Sequence, residues 1–243
     1  MGAPRFFVDA PLAPAMVGSE IALPDDVAHH AMRVLRLAPA DEIVLFDGNG
    51  GEYRATVARA GKRDAWARVD GFDPVDRESS LATTLAQAIV ATDTMDALVR
   101  HAVELGVAAI QPLVTERSAR FPAGAHGDKR LAHWRQVARA ACEQCGRNRV
   151  PPVRDPMRLD EWLETSRDGI VFDAGAAASL ASLTVASTVD VLVGPEGGLA
   201  EREIAHAVRA GMRAAHVGPR TLRADTAALS ALAAVNLLWG DFR

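Results

Sequence analysis

Two kinds of hydrophobic spacing divide the chain. Up to about residue 72 apolar and polar positions alternate: "DEIVLFDGNGGEYRATVARAG" reads as two strand-like runs around Asp47-Gly48-Asn49-Gly50-Gly51, a hairpin signal, and "KRDAWARVDGF" adds a further strand. Ahead of the hairpin, "PDDVAHHAMRVLRL" predicts a short helix capped by Asp25 or Asp26, which brings His29, Arg33 and Arg36 near one another. The polar, proline-bearing stretch "GFDPVDRESS", Gly71 to Ser80, reads as a linker. Beyond it strands alternate with helices. "LATTLAQAIVA" precedes helical "TMDALVRHAVELG", which closes on Gly106, and "VAAIQPLV" precedes "GDKRLAHWRQVARAACEQCG", whose Leu131, Trp134, Ala138, Ala141 and Cys145 recur at three- and four-residue steps. "GIVFDAG", "VDVLVGPEGG" with helix "AEREIAHAVRAG", and "RAAHVGPR" with helix "ADTAALSALAAVNLLWG" continue the alternation. The expectation is an α/β domain with a mainly parallel sheet, whose strand C-termini are where ligands bind.

Composition narrows this picture. With 243 residues, 49% of them hydrophobic, the chain can bury a real core as one large or two small domains. No run approaches the roughly 20 apolar residues that span a bilayer, and "MGAPRFFVDAPLAP" lacks the pattern of a secretory signal, so no membrane association and a cytoplasmic location are expected. Cys142 and Cys145 form the one Cys-x-x-Cys, late in a helical pattern and without a second ligand pair, which favours packed thiols over a redox or zinc site and predicts no metal. The net charge of -4 argues against a nucleic-acid binder, yet Lys129 to Arg158 holds eight basic residues against Glu143 and Asp155. Such a segment can hold a phosphate backbone, or can be a solvated helix face.

The chemistry concentrates in "LVGPEGGLAEREI", Leu192 to Ile204. A triphosphate loop would need Gly-Lys-Ser/Thr, which is absent, and a dinucleotide loop would need Gly-x-Gly-x-x-Gly, whereas here Pro195 removes a donor and Glu196 repels phosphate. A ligand with cationic groups and hydrogen-bonding edges, such as S-adenosylmethionine, suits backbone groups beside a carboxylate. The alternative is a tight turn whose glycines only permit close packing. "VGPRTLRADTAAL", Val217 to Leu229, repeats the strand, glycine-proline, helix arrangement and sets Arg220, Arg223 and Asp225 around the turn, with Thr226 near the helix start.

These two strings in this order resemble the paired C-terminal motifs of the SPOUT methyltransferases, and within that class the bacterial ribosomal RNA small subunit methyltransferase E family, which methylates N3 of a uridine in small-subunit (16S) rRNA. "HHAMRVLRL" and "LFDGNGGEYRATV" are similar to the family's N-terminal PUA-like barrel, and "ELGV", "TERS" and "ACEQCGRNRVP" to its catalytic domain. The resemblance implies a PUA-like RNA-binding β-barrel over residues 1–72, a linker over 73–80 and a SPOUT domain with a C-terminal trefoil knot over 81–243. It implies S-adenosyl-L-methionine held around Leu192, Gly194, Glu196 and Gly197 and around Val217, Gly218, Leu222 and Thr226. It further implies a homodimer, and 16S rRNA, in an assembled or assembling small subunit, as partner.

Uracil N3 must lose a proton before it attacks a methyl group, so a base or an anion-stabilising group is needed. Asp225, with Arg223 and Arg220, is the candidate set, the alternative being an Asp225–Arg223 ion pair that braces the loop. Arg33 and Arg36, and on the arginine-rich segment Glu143, Arg147 and Arg149, are the candidate RNA contacts, the alternative for Glu143 and Arg147 being a helix-end salt bridge. The chain departs from the family where Arg223-Ala224-Asp225-Thr226 replaces the usual Arg-Thr-Glu-Thr, and where "ATDT" and His101 stand in place of lysines. Two other readings stay open: a related SPOUT enzyme acting on another RNA, and a non-catalytic RNA-binding or ribosome-assembly module.

Overall fold

A computed structural model describes residues 2–61, 64–165 and 169–242. By contact the chain separates into two compact units, one of residues 1–78 with 142–150, the other of 79–141 with 151–243. That the strip Cys142–Val150 folds with the N-terminal unit is a feature no linear reading of the sequence anticipates.

In the first unit β1 (Arg5–Phe7), β2 (Glu20–Ala22), β3 (Glu42–Phe46), β4 (Glu52–Ala60) and β5 (Ala65–Asp73) form a sheet in the order β1-β3-β4-β5-β2. The predicted alternation is present: Tyr53, Ala55 and Val57 of β4 and Ala65, Ala67 and Val69 of β5 point into a core with Phe6, Ile43 and Leu45. The Asp47–Gly51 turn joins β3 and β4, which pair antiparallel, and Asp47 Oδ1 accepts the Asn49 N–H at 3.0 Å. Lys62 and Arg63, which open the third predicted strand, lie outside the described residues, and β5 continues through Asp73, into the stretch predicted as linker. The predicted helix is α1 (Asp25–His29), prolonged by a π turn over His30–Val34. Its cap differs from expectation: Pro24 occupies the N-cap without a side-chain bond, and Asp25 and Asp26 fall inside the first turn, where their charge meets the helix dipole.

The strip 142–150 is tied to this unit by polar bonds. Glu143 Oε1 accepts the Phe7 N–H at 2.9 Å, Asn148 Nδ2 donates to the Val75 carbonyl at 3.2 Å, and the guanidinium of Arg147 pairs with the carboxylate of Glu78. Arg5 and Arg77 converge on Glu52, at 2.6 and 3.0 Å.

The second unit contains β6 (Ala82–Ala88), α2 (Thr92–Glu104), β7 (Ala109–Val114), most of α3 (Ala125–Cys145), β8 (Met157–Arg158), α4 (Leu159–Leu163), β9 (Gly169–Phe172), β10 (Thr188–Val193), α5 (Glu201–Arg209), β11 (Arg213–Ala215) and α6 (Ala224–Trp239). The sheet order is β11-β9-β10-β6-β7-β8 and every pairing is parallel. Thr83, Leu85, Ala86, Gln87 and Ala88 of β6 are all buried, as a central parallel strand covered on both faces requires. One apolar cluster joins Leu113, Trp162, Val171, Leu192, Leu199 and Met212, while α6 packs on β6, β10 and α2. Both cysteines are free, Cys142 buried and Cys145 half-buried, and burial pushes the Cys142 thiol up to about 12. Among the described residues no helix is long and apolar enough to cross a membrane, and no group of three or more His, Cys, Asp or Glu is arranged to hold a metal ion.

Candidate ligand cavity at the strand ends

The C-terminal ends of β9, β10 and β11 open onto a cavity of about 360 Å3, within the range of small-molecule sites. Parallel strands that end together leave a floor of main-chain groups, and here two glycine-proline loops form the walls. Phe172 and Asp173 follow β9, Val193 to Leu199 follow β10, and His216, Val217, Gly218, Arg220, Thr221 and Leu222 follow β11.

The first loop folds back on itself. A Cβ on Gly194 would stand 2.8 Å from the Leu199 nitrogen, so the chain passes too close for any side chain there. The Gly198 N–H closes a turn on the Pro195 carbonyl at 2.9 Å. Three contacts hold the loop from outside. Gln87 Nε2 donates to the Gly194 carbonyl at 3.3 Å, Arg117 Nη1 donates to the Gly197 carbonyl at 3.0 Å, and Glu196 Oε1 accepts the Ala91 N–H at 3.1 Å where α2 begins. Glu203 then fixes the start of α5, accepting the Ala200 N–H at 2.9 Å with one oxygen and the Glu116 N–H at 2.8 Å with the other. Alanine at the N-cap has no side-chain acceptor, so only this half of a capping box forms.

The second loop leaves β11 through His216, whose Nδ1 accepts the Gly218 N–H at 3.0 Å. Gly218 has φ of +136°, a conformation that side-chain-bearing residues avoid. Arg223 caps α6 through extended backbone, and Ala224 and Ala227 of the first two turns line the cavity. A helix start presents unpaired N–H groups and partial positive charge.

Of the sequence-predicted ligand residues, Gly194, Glu196, Gly197, Val217, Gly218 and Leu222 line the cavity, as does Arg220. Leu192 does not: its side chain is wholly buried in the apolar cluster, because it sits one residue before the strand end. Thr226 is exposed and outside the lining, its N–H bonded to Asp225 Oδ1 at 2.8 Å. Asp225 and Arg223 also lie outside the lining, and among the described residues no ion pair joins them. Phe172, Asp173 and His216 enter the site unannounced, although "FDAG" at a parallel strand's end carried the positional signal.

The RNA candidates separate in the same way. Arg33 lines a hollow of about 450 Å3 with Asp25, His29 and Asp64, Arg36 is exposed, and Arg149 is exposed with Asp76 at 3.6 Å. Arg147 is the exception: it is 4% exposed and its guanidinium is committed to Glu78. Buried and paired in this way, it acts as a structural cation. Glu143 is half-buried and bonded to Phe7, and burial raises its carboxyl above the ordinary value against the pull of that N–H.

Residues 77–236 match the family model of the RNA methyltransferase domain and residues 23–70 that of the RNA methyltransferase PUA domain. The ribosomal RNA small subunit methyltransferase E of Mycobacterium tuberculosis is 32% identical over 235 residues, covering 91% of this chain and 87% of its own. That of Bacillus subtilis is 26% identical over 255 residues, covering 98% and 99%. Among solved structures, the Neisseria gonorrhoeae ribosomal RNA small subunit methyltransferase E bound to S-adenosyl methionine is similar with a TM-score of 0.93 and 38% identity over all of both chains. A Legionella pneumophila protein in complex with the same cofactor is similar with a TM-score of 0.95 and 30% identity, again over all of both.

Proposed function

The chain belongs to the ribosomal RNA small subunit methyltransferase E family, and from that membership we propose that it methylates N3 of a uridine in 16S rRNA with S-adenosylmethionine as donor. The observation that carries the reading is the cavity closed by two glycine-proline loops at three parallel strand ends.

The residues present fit the donor. Phe172, Val193, Leu199, Ile204 and Leu222 offer an apolar wall for an adenine ring, main-chain groups of the two loops offer hydrogen bonds to its edge, and Asp173 and Glu196 bring carboxylates for cationic groups. The α6 start suits a ligand carboxylate. Bound there, S-adenosylmethionine supplies a methyl group activated by its sulfonium. The work left to the chain is to exclude water, orient the two reactants and manage the N3 proton.

Arg220, the cation in the cavity lining, is placed in this reading as the group that stabilises the uracil anion. Asp225 and Arg223, at the start of α6 but outside the lining, are read as substrate-side groups, with Asp225 assisting removal of the proton. Arg33, Arg36 and Arg149 are read as phosphate contacts. A homodimer belongs to the same reading, supported by Leu237, 60% exposed on the largely apolar α6. So do the trefoil knot, a cytoplasmic location and a small-subunit particle as substrate.

The test is transfer of labelled methyl from S-adenosylmethionine to 16S rRNA and to small subunits, with the modified base identified by mass spectrometry. Label recovered as 3-methyluridine is expected. RNA binding without transfer would return the chain to a non-catalytic role, and label at another position or in tRNA would return it to a related specificity.

A further inference from the structure

His216 carries a hydrogen bond that only one protonation state of its ring can make. A backbone N–H can donate and nothing else, so the 3.0 Å contact from Gly218 to Nδ1 requires a lone pair on that nitrogen. The form that makes this bond is the neutral ring with its proton on Nε2. An imidazolium carries N–H on both nitrogens and would set one donor against another.

The residue is also rigidly mounted. Its own N–H donates to the Ala178 carbonyl at 3.0 Å and its carbonyl accepts the Leu180 N–H at 2.9 Å, so the backbone from which the ring projects is fixed on both sides. The bond spans Val217 and closes the turn in which Gly218 adopts φ of +136°. His216, Val217 and Gly218 all line the cavity.

We infer that His216 is a positioning residue for the second loop, holding Gly218 in its binding shape while the ring is neutral and releasing it when the ring takes up a proton, so that affinity for the methyl donor falls on acidification. The inference rests on the reading of the cavity as the S-adenosylmethionine site. The charged groups that share the cavity lining with His216 are Asp173 beyond β9, Glu196 in the first loop and Arg220 in its own loop. The segment 178–180 that brackets His216, and Ala224 and Ala227 of α6, bring no titratable side chain.

Asparagine at this position offers a non-titrating equivalent, because an Asn side-chain oxygen readily accepts the N–H two residues on. Calorimetry of S-adenosylmethionine binding between about pH 8 and about pH 5.5, a range that brackets imidazole titration, is the experiment. Wild-type affinity is expected to fall roughly fivefold more than that of His216→Asn across the range, the size of one lost hydrogen bond. The comparison cancels titration of the ligand and of the cavity carboxylates. His216→Ala is expected to bind roughly fivefold more weakly than wild type already at the alkaline end.

Parallel curves for wild type and His216→Asn would overturn the inference while leaving the cavity reading intact. Absence of wild-type binding at the alkaline end would overturn the cavity reading and the inference with it. Nitrogen NMR of the ligand-free protein gives a second readout: a proton on Nε2 and none on Nδ1 of His216 is expected at the alkaline end, and the opposite tautomer would overturn the inference.

Discussion

Arg147 and Arg149 stand two residues apart in one basic segment and face different tasks. Truncating Arg147 strands the Glu78 carboxylate in a largely buried place, so Arg147→Ala is expected to destabilise the protein by about 3 kcal/mol, measured as a shift of the denaturant midpoint. Arg149→Glu is expected to leave stability nearly unchanged and to lower the salt slope of RNA binding by about one unit, measured by titration at several ionic strengths. Glu143 supplies a sign test. Its folded-state carboxyl is raised, so at neutral pH the charged form weighs against the folded state, and Glu143→Gln is expected to keep or raise the thermal midpoint at pH 7 without changing RNA affinity. For catalysis, Asp225→Asn is expected to keep S-adenosylmethionine affinity and lower the single-turnover rate about a hundredfold, with loss of the acidic limb of the pH profile. A limb that persisted would shift the burden to Arg220. Charge counting makes Arg147 and Arg149 look alike because local sequence carries no information about Glu78, which lies 69 positions away.

At the level of elements hydrophobic spacing is far more informative. β4 and β5 alternate because one face is buried, whereas burial is continuous over residues 85–88 of β6 and 191–193 of β10 because both faces are covered there, so each type of sheet announces its strands in a different way. The two glycine-rich loops are legible for a related reason: a strand, a glycine-proline pair and a helix in succession specify a turn at a strand's C-terminal end. What each glycine does is not legible. A methyl group added at Gly194 would meet neighbouring backbone at 2.8 Å, whereas one added at Gly197 would meet only the Arg117 stem at 3.4 and 3.5 Å, an ordinary contact. Gly194→Ala is therefore expected to weaken S-adenosylmethionine binding more than about tenfold and Gly197→Ala less than about threefold, by calorimetry. The N-cap of α1 escapes a reading from sequence because Asp25 and Asp26 are good capping residues, while Pro24, one position earlier, already sets the entry angle.

For the whole molecule, the order β11-β9-β10-β6-β7-β8 cannot be read from periodicity, since a strand's pattern reports burial and not its neighbour. The same holds for the network around Glu52. Burial raises its carboxyl, but the bonds from Arg77 and Arg5 outweigh burial and hold it below the ordinary value. A folded-state value below the unfolded one gives stability that is present above the ordinary carboxylate range, about 4.3, and is lost as pH falls through the lowered value. Glu52→Gln is accordingly expected to lower the melting temperature at pH 7, with the gap to wild type closing on acidification. The strip Cys142–Val150 has a consequence in time. Synthesis runs from the N-terminus, at roughly 5–20 residues per second, so residues 1–78 emerge several seconds before the strip that completes their unit. Through that interval Phe7, Glu78 and Val75 wait for Glu143, Arg147 and Asn148. The unit that is made first is thus finished only after more than half of the chain has been translated, and a nascent chain stalled before Cys142 would carry it incomplete.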